Sequence, residues 1–300
     1  MNIFFAVNND YTKYLSVAMA SILYNLDKEQ IINFFILDGG ISDENKKKLN
    51  ALKYIKNFNI EYIKVDKSKF ENILEYHFKH ITIDANYRLI MSSVKPDLDK
   101  CLYLDFDLVV DKDITELYSI NIDSFYIGAV VDAVNQNNYI NSGVMLVNLE
   151  RWRKEDIEYK LFHNLIKYSS RLICPDQDII NITLRDRIKY LNPKYNAMPV
   201  QIYVRENEKK EAFYNPVIIH WAGDRKPWIY SDANYSEYFW KYARMSPFYE
   251  DIIYKNIFKR LNNIEYKIDK LIDTLAWWIP IRKWRDNFRN KFFDKFIGGG

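Results

Sequence analysis

Two aspartates one residue apart, Asp105 and Asp107, follow an apolar run that begins at Cys101. In an extended chain the side chains of residues i and i+2 point to the same side, so both carboxylates can converge at the end of a buried strand. Two like charges this close are costly to desolvate unless a cation or protons neutralise them. The pair therefore indicates a divalent-metal site whose metal would bind phosphate oxygen. A strand end with two solvated carboxylates is the alternative that the pair alone leaves open.

A second polar cluster lies at the end of a short apolar run, where His220 is followed by Gly223 and Lys226. A histidine and two carboxylates, each at a strand end of one sheet, form a mixed donor set that suits Mn²⁺ or Mg²⁺. Gly223 would let backbone N–H groups approach an anion, and Lys226 adds a compact positive charge. A metal and a lysine beside a diphosphate would stabilise charge on a leaving group. The chemistry indicated is transfer of a group from a nucleoside diphosphate.

Apolar strands alternate with helices in the first part of the chain. Strands are predicted over 3–7, 31–37 and 60–65, and helices over 12–25 and from Ser42 onward. Continuous apolar strands in this βαβαβ order predict an α/β fold with a mainly parallel sheet covered on both faces. Ligands of such sheets bind beyond the carboxyl ends of the strands. The turns at 8–11 and 105–107 are therefore expected in one cleft.

The later elements are predicted from the same patterns. Strands are expected over 127–131, 144–149 and 217–220, with one helix from Arg151 through the 150s and 160s and another from Pro175 or Asp176. The stretch 141–143 is expected to lead into the strand that follows it.

Composition limits the classes of protein to consider. The chain has 300 residues, 48% of them apolar, and a net charge of +3. Balanced charge gives no case for nucleic acid as a partner. Two distant cysteines form neither a disulfide framework nor a zinc site, which suits a reducing cytoplasm. The first residues lack the basic start of a signal peptide and are predicted as a strand.

The C-terminal part differs from the rest. Residues 255–297 carry eleven basic and five acidic side chains. The large apolar residues of its last part recur every three or four positions, at Ile281, Trp284, Phe288, Phe292 and Phe296, and Pro280 suits a first helical turn. The pattern is typical of a basic amphipathic helix at an anionic membrane surface. We therefore predict a catalytic domain over 1–250 and a basic, aromatic-rich helical tail over 251–300 that associates with a membrane; a helix packed on the body or on a partner subunit is the alternative.

Taken in order, the motifs resemble those of the retaining glycosyltransferases of family 8, which include bacterial lipopolysaccharide α-galactosyl- and α-glucosyltransferases and glycogenin. The resemblance extends from residue 1 to about residue 245, and Asp105-Phe106-Asp107 matches the Asp-x-Asp motif of the family. The other matching stretches are 5–11, 37–42, 87–89, 141–144, 176–178 and 220–228. Each motif is weak alone, whereas the complete ordered set is specific.

The resemblance implies a GT-A fold for the catalytic domain over 1–250, a bound Mn²⁺ (or Mg²⁺) and transfer of galactose or glucose from a UDP-hexose to a saccharide acceptor. The implied metal ligands are Asp105, Asp107 and His220. The implied nucleoside-binding residues are Ala6, Asn8, Asp10 and Tyr11, with Phe106 also in the donor site. His80, Gly223 and Lys226 would contact the diphosphate. The residues implied to surround the hexose are Arg88, Asn141, Asp176 and Gln177, and Asp132 would help to place the acceptor.

The chain departs from the family pattern at Asn8, where an aspartate is common. An asparagine can accept from the uracil N3–H, but a charge-assisted hydrogen bond is lost. We expect selectivity for UDP to persist with weaker affinity. The segment 133–140 is short for a loop that covers an acceptor, which predicts a more open acceptor cleft.

The resulting hypothesis is a retaining enzyme at the inner face of the cytoplasmic membrane that acts in lipopolysaccharide or other surface glycan synthesis. Within it, Gln177 lies nearest the reacting carbon; because an amide is a poor nucleophile, attack from the face of the leaving phosphate is favoured. One alternative is a haloacid-dehalogenase-type phosphatase with Asp105 as nucleophile. The other is a catalytically dead, membrane-tethered saccharide-binding protein.

Overall fold

The computed structural model describes residues 1–27, 29–66, 83–135, 138–200, 206–230, 232–277 and 282–296. Within it the chain forms two compact units, Met1–Tyr249 and Glu250–Gly300. The first unit contains the strands and all the predicted site residues that the structure describes. Among the predicted site residues, His80 lies outside the described residues.

The strands form one large sheet and one small one. They are β1 Asn2–Val7, β2 Asn33–Asp38, β3 Asn59–Lys64, β4 Lys100–Leu104, β5 Leu108–Val110, β6 Ile127–Val131, β7 Ile140–Asn148, β8 Ile188–Tyr190 and β9 Ile218–His220. The seven-stranded sheet has the order β3-β2-β1-β4-β7-β6-β8, and β5 pairs with β9. In the large sheet only β7 runs antiparallel to its neighbours, β4 and β6. The predicted mixed, mainly parallel α/β sheet is confirmed.

Helices connect and follow these strands. They are α1 Thr12–Asn25, α2 Asp43–Ala51, α3 Met91–Val94, α4 Thr115–Ser119, α5 Leu149–Lys154, α6 Ile157–Tyr168, α7 Pro175–Leu184, α8 Glu206–Tyr214, α9 Ser236–Ala243, α10 Tyr249–Trp277 and α11 Arg282–Phe296. Helix-capping preferences explain where several of these helices begin. The Ser42 side chain accepts from Asn45 N and caps α2, and Pro175 occupies the first turn of α7.

Burial on both faces explains the apolar strands. Phe4 of β1 belongs to a core cluster with Trp152 of α5 and Ile179 of α7. Its neighbours Ile3 and Phe5, which point to the opposite face of β1, are also fully buried. A strand covered on both sides needs continuous apolar sequence, as the first part of the chain has.

Two local predictions are wrong. The expected single helix through the 150s and 160s is broken into α5 and α6, because Asp156 adopts a left-handed conformation (φ 50°) that a right-handed helix cannot include. The stretch 141–143 does not precede a strand; it lies inside β7, whose nine residues are all buried. Pairing with β4 and β6 on either side extends the strand over these polar residues.

The second unit contains α10 and α11. A salt bridge joins Arg289 Nε to Asp273 Oδ1 at 2.8 Å and links the two helices. The helix predicted around 281–296 is present as α11, while Pro280 and Ile281 lie outside the described residues. The 29-residue α10 makes up most of the first part of the predicted helical tail. Over the part of the chain that the structure describes, no helix has both the length and the apolar character needed to cross a membrane.

Candidate active site

The two aspartates lie where the chain passes from the large sheet to the small one. Asp105 follows β4 directly and Asp107 precedes β5. Because β5 and β9 are antiparallel, with Leu108 opposite His220, the histidine comes to lie beside Asp107. The expectation that all three ligands sit at the strand ends of one sheet is therefore wrong. The histidine is on the second sheet, and strand pairing across 112 residues of sequence brings it to the aspartates.

Asp105, Asp107 and His220 can hold a metal ion. Ligand atoms from the three side chains all lie within 4.8 Å of one another. His220 Nε2 is 3.2 Å from Asp107 Oδ1 and 3.9 Å from Asp105 Oδ2. His220 is 2% exposed and Asp107 8% exposed, so a cation there would compensate charge removed from water. One imidazole nitrogen and two carboxylates suit Mn²⁺ or Mg²⁺.

Asn196 orients the ring of His220. The backbone N–H of Gly143 donates to Asn141 Oδ1 (3.0 Å), which identifies that atom as the amide oxygen. Asn196 Nδ2 donates to the same oxygen at 2.9 Å, so Asn196 Oδ1 must face His220 Nδ1, also 2.9 Å away. The proton of a neutral ring is then on Nδ1, and the lone pair of Nε2 points toward Asp107. Two facing acceptors need a cation or a proton between them, and a metal ion bound there would meet that need.

The hydrogen-bond network of Asn196 and Asn141 extends to Gln177. Asn141 Nδ2 donates to Gln177 Oε1 at 3.1 Å and to Asp132 Oδ2 at 3.3 Å. Gln177 Oε1 also accepts from the backbone N–H of Ser142 at 3.1 Å. We call this set, from His220 through Asn196 and Asn141 to Gln177 and Asp132, the amide relay. It connects a metal ligand to residues predicted to act on the hexose and the acceptor.

Arg88 lies at the centre of the carboxylate cluster. Its Nη2 is 2.9 Å from Asp105 Oδ1 and its Nε is 3.2 Å from Asp176 Oδ2. Its Nη1 donates to the backbone oxygen and the hydroxyl of Ser142. Burial alone would lower the pKa of Arg88, but the nearby carboxylates outweigh it and raise that pKa. Burial also raises the pKa of Asp176, against the opposing effect of Arg88.

Lys226 contacts Asp107 directly. Its Nζ donates to Asp107 Oδ2 and, at 2.6 Å, to the backbone oxygen of Trp221. Burial acts to raise the pKa of Asp107, but the charge of Lys226 outweighs it, with a further contribution from His220 when its ring is protonated, and holds that pKa well below its usual value. Asp107 is therefore ionised and available as a ligand throughout the neutral range.

Two cavities meet at this cluster. Cavity A has a volume of about 380 Å³. It is lined by Ala6, Val7, Asn8, Tyr11, Arg88, Asp105, Phe106, Asp107, Gly223, Asp224, Lys226, Trp228 and Ile229. The turns at 8–11 and 105–107 thus share one cleft. Tyr11 is 38% exposed there, and its ring lies 4.8 Å from that of Phe106. Asp10, in contrast, is exposed and does not line the cavity.

Cavity B, of about 440 Å³, lies on the other side of the same cluster. Its predicted residues are Arg88, Asp105, Asp107, Asp132, Asn141, Asp176, Gln177, His220 and Gly223. Four of them, Arg88, Asp105, Asp107 and Gly223, also line cavity A. Asp132 further accepts from the backbone N–H groups of Val134 and Asn135, which folds the start of the 133–140 loop against the cavity. Residues 136–137 lie outside the described residues, so the open acceptor cleft stays a prediction.

Two important residues were missed from the sequence. Asn196 sits in a short 3₁₀ turn, Pro193–Asn196, with no motif around it. Gly143 was noted only as part of a motif, but a Cβ there would lie 2.3 Å from His220 Cε1 and 2.6 Å from Asp105 Oδ2. The sequence did contain a hint: a glycine that follows two polar residues within an apolar run often marks a position where another group packs closely against the backbone.

The sequence matches a known protein family over most of its length. The family model described as Glycosyl transferase family 8 matches residues 2–232. The chain belongs to glycosyltransferase family 8. Among similar proteins, General stress protein A of Bacillus subtilis (strain 168) is 30% identical over 254 residues, or 76% of this chain and 87% of that protein. Lipopolysaccharide 1,2-glucosyltransferase of Escherichia coli is 30% identical over 285 residues, or 86% of this chain and 82% of that protein.

Solved structures agree with the family assignment. The crystal structure of galactosyltransferase LgtC in complex with donor and acceptor sugar analogues has a TM-score of 0.70 and 28% sequence identity. The alignment covers 82% of this chain and 96% of that one. The GT-A-like fold of this family 8 protein is thereby confirmed, and glycosyl transfer is favoured over the phosphatase alternative.

Proposed function

We propose that this protein is a retaining, metal-dependent α-glycosyltransferase that moves galactose or glucose from a UDP-sugar to a saccharide acceptor. One observation carries the proposal: cavities A and B meet at the wall formed by Arg88, Asp105, Asp107 and Gly223. A nucleoside diphosphate in cavity A would place its diphosphate at the metal ligands, and the hexose would extend into cavity B.

Each cavity suits its part of the donor. Cavity A offers the exposed ring of Tyr11 for the base and the ammonium group of Lys226 for the diphosphate. A divalent metal on Asp105, Asp107 and His220 would supply positive charge to the departing diphosphate. In cavity B, Asp176 and Gln177 are available to the hydroxyls of the hexose.

These positions support the following proposed reaction. The bond between the anomeric carbon and the diphosphate oxygen breaks while the acceptor hydroxyl oxygen bonds to the same face of that carbon. The hydroxyl proton passes to the departing phosphate oxygen. Gln177 Oε1 accepts from Asn141 and Ser142 N and is an amide oxygen, so it is better suited to position the hexose than to attack it. This supports same-face attack over a covalent intermediate.

Donor hydrolysis tests the proposal without knowledge of the acceptor. UDP release from UDP-galactose and from UDP-glucose should depend on added Mn²⁺, and one of the two should be the better donor. Calorimetry with Mn²⁺ should show tighter binding of UDP than of GDP. Absence of UDP release from every UDP-hexose, with UDP still bound, would favour the catalytically dead saccharide-binding protein.

We further propose that the acceptor is a saccharide of lipopolysaccharide or another surface glycan, at the inner face of the cytoplasmic membrane. A relative that is named as a lipopolysaccharide glucosyltransferase supports the acceptor class. The second unit supports the location, since Ile264, Leu271 and Leu275 of α10 and Trp284 of α11 are 47–63% exposed. Basic residues of 255–297 would add attraction to anionic lipids.

Vesicle sedimentation tests the proposed membrane contact. The triple variant Leu271→Gln, Leu275→Gln, Trp284→Gln should lose binding to vesicles that contain anionic lipid, whereas the unaltered protein should sediment with them. Tyr214→Gln is the matched control, because Tyr214 is 92% exposed but belongs to the first unit. Equal sedimentation of the triple variant and the unaltered protein would mean that these exposed apolar side chains serve another purpose.

A further inference from the structure

A third cavity lies beside cavity B and contains none of the predicted site residues. Cavity C has a volume of about 700 Å³, larger than either cavity A or cavity B. It is bounded by one face of α7, the short strand β8 and the segment that precedes α7. A cavity of this size is in the range that holds a small ligand.

Cavity C shares a wall with cavity B. Cys174 and Gln177 line cavity B, whereas their neighbours Ile173 and Asp178 line cavity C. Asp178 maintains this wall: its Oδ2 accepts from the backbone N–H groups of Ile173 and Cys174 at 2.7 and 2.9 Å, and its Oδ1 accepts from the hydroxyl of Tyr139. Because Ile173 and Cys174 on this wall are exposed, a chain of sugars whose end lies in cavity B can pass over the 173–178 segment into cavity C.

The charge of cavity C favours an anion. Arg171 and Arg185 both line it and are both exposed. Within the ranges that the structure describes, neither guanidinium pairs with a carboxylate. Asp178, the acidic residue of the lining, accepts three hydrogen bonds within the wall, and its one negative charge leaves the lining net positive against the two arginines. Two uncompensated arginines are suited to bidentate binding of phosphate or carboxylate.

The remaining lining suits a sugar. The rings of Tyr168 and Tyr190 lie along the cavity, and Tyr190 is 45% exposed. Ile173 and Ile182 are 87% and 41% exposed, which is unusual for apolar side chains grouped around one cavity. Flat tyrosine rings present an apolar face to sugar C–H groups and a hydroxyl to sugar oxygens.

We propose that cavity C binds the non-reacting part of an acceptor glycan that carries a phosphate or carboxylate group. The proposal rests on the glycosyl transfer proposed above and names a feature of its acceptor. It predicts that the enzyme distinguishes acceptors by a charged group remote from the hydroxyl that receives the hexose.

Isoleucine methyl NMR on the full chain tests the proposal directly, because Ile173, Ile182 and Ile188 line the cavity. The probes are glucose, glucose 6-phosphate, glucuronate and inorganic phosphate. At least one anionic sugar should shift these three methyl signals at a concentration about tenfold lower than glucose or inorganic phosphate does. Equal shifts from inorganic phosphate would overturn the saccharide part of the proposal, and equal shifts from glucose would overturn the anionic part.

Substitutions of the two arginines test whether the anionic sugar binds in cavity C. The double variant Arg171→Gln, Arg185→Gln should weaken binding of the anionic sugar at least about tenfold. Arg187→Gln is the matched control: it removes the same charge two residues from Arg185, where the side chain bonds to Ser124 O outside the cavity. If the double variant does not fold, each single substitution and Tyr190→Ser are tested instead. Unchanged binding in the folded variants, or shifts caused by self-association, would overturn the assignment.

UDP release by the unaltered protein separates this proposal from the proposed function. Release from a UDP-hexose without methyl shifts from any probe would overturn the role of cavity C and leave glycosyl transfer supported. Methyl shifts without UDP release would support a glycan site and contradict the transferase mechanism.

Discussion

Cavities A and B share the wall that contains the proposed metal ligands, but the polar groups of the two cavities are held differently. In cavity A, Asn8 Oδ1 accepts from Asp10 N, two residues along its own turn, and Tyr11 contacts the ring of Phe106. In cavity B, Asn141 bonds to Gln177, Asp132 and Asn196, which come from three other parts of the chain. Cavity A is built from short contiguous stretches, and cavity B from a long-range network.

The difference has a functional meaning for a transferase. The nucleotide end of a donor is recognised by groups that can adjust locally, while the reacting end needs side chains fixed before the substrate arrives. The amide relay fixes them and also sets the tautomer of His220. Damage to the amide relay of cavity B should therefore reach the metal site, whereas changes in the 8–11 turn of cavity A should stay local.

Substitution of a residue in the wall shared by the two cavities should cause the largest loss of activity. Asp107→Asn removes a ligand and the charge that pairs with Lys226. We expect UDP release to fall at least about 100-fold, because a catalytic metal supplies several kcal/mol and about 1.4 kcal/mol corresponds to tenfold. Asp99→Asn is the control, since Asp99 forms an exposed salt bridge with Arg153 just before β4. Full activity of Asp107→Asn would exclude this metal site.

Gly143→Ala tests the packing beneath the metal. The new Cβ would overlap His220 Cε1 and Asp105 Oδ2, on a buried strand that cannot easily move. Affinity for Mn²⁺, measured by electron paramagnetic resonance of the free ion, should fall about 10- to 100-fold. Gly128→Ala on the adjacent strand β6 is the control, because its Cβ would meet the flexible side chain of Leu191 at 3.3 Å. Equal Mn²⁺ affinity in both variants would mean that the ligands are placed otherwise.

Asn196 tests whether the relay couples cavity B to the metal. Asn196→Leu removes both hydrogen bonds, and we expect Mn²⁺ affinity to fall about tenfold or more. Asn196→Asp keeps the acceptor for His220 and loses the donor to Asn141, so Mn²⁺ affinity should be retained better than transfer activity. The two quantities would be measured on the same preparations. If Mn²⁺ affinity and transfer activity fall equally in Asn196→Asp, the substitution has damaged the fold in general, and coupling through the amide relay is not supported.

The smallest effect is expected in cavity A. Asn8→Asp restores a charged acceptor for the base, and UDP affinity should rise about fivefold, since the gain from a charge-assisted hydrogen bond is about 1 kcal/mol. Mn²⁺ affinity in the absence of nucleotide should not change. Asn9→Asp adds the same charge one residue away, where the Asn9 side chain accepts from Ser42 N. A similar gain in both variants would reflect net charge rather than contact with uracil.

Local patterns in the sequence were sufficient for much of the fold. The apolar runs at β1, β2 and β3, the Ser42 cap and the proline at the start of α7 depend on neighbours within a few residues. The left-handed turn at Asp156 was missed because neither apolar spacing nor a glycine or proline marks it. The bounds of the long helix α10 did not follow from the basic charge of this region, because charge composition does not specify where a helix begins and ends.

By itself the sequence determined that Asp105 and Asp107 converge, that strand ends carry polar turns, and that the motifs follow the order of family 8. The polar strand ends and the motif order depend on strand periodicity and on chain order, both of which are local or linear properties. The convergence of the two aspartates was predicted from strand alternation, but in the structure they lie in the bend between β4 and β5. Only the tertiary structure decided that His220 belongs to a second sheet, that Asn196 sets its tautomer, that Gly143 must lack a side chain, and that cavity C adjoins the site. Each of these depends on contacts between distant parts of the chain, such as the 55 residues that separate Asn141 from Asn196.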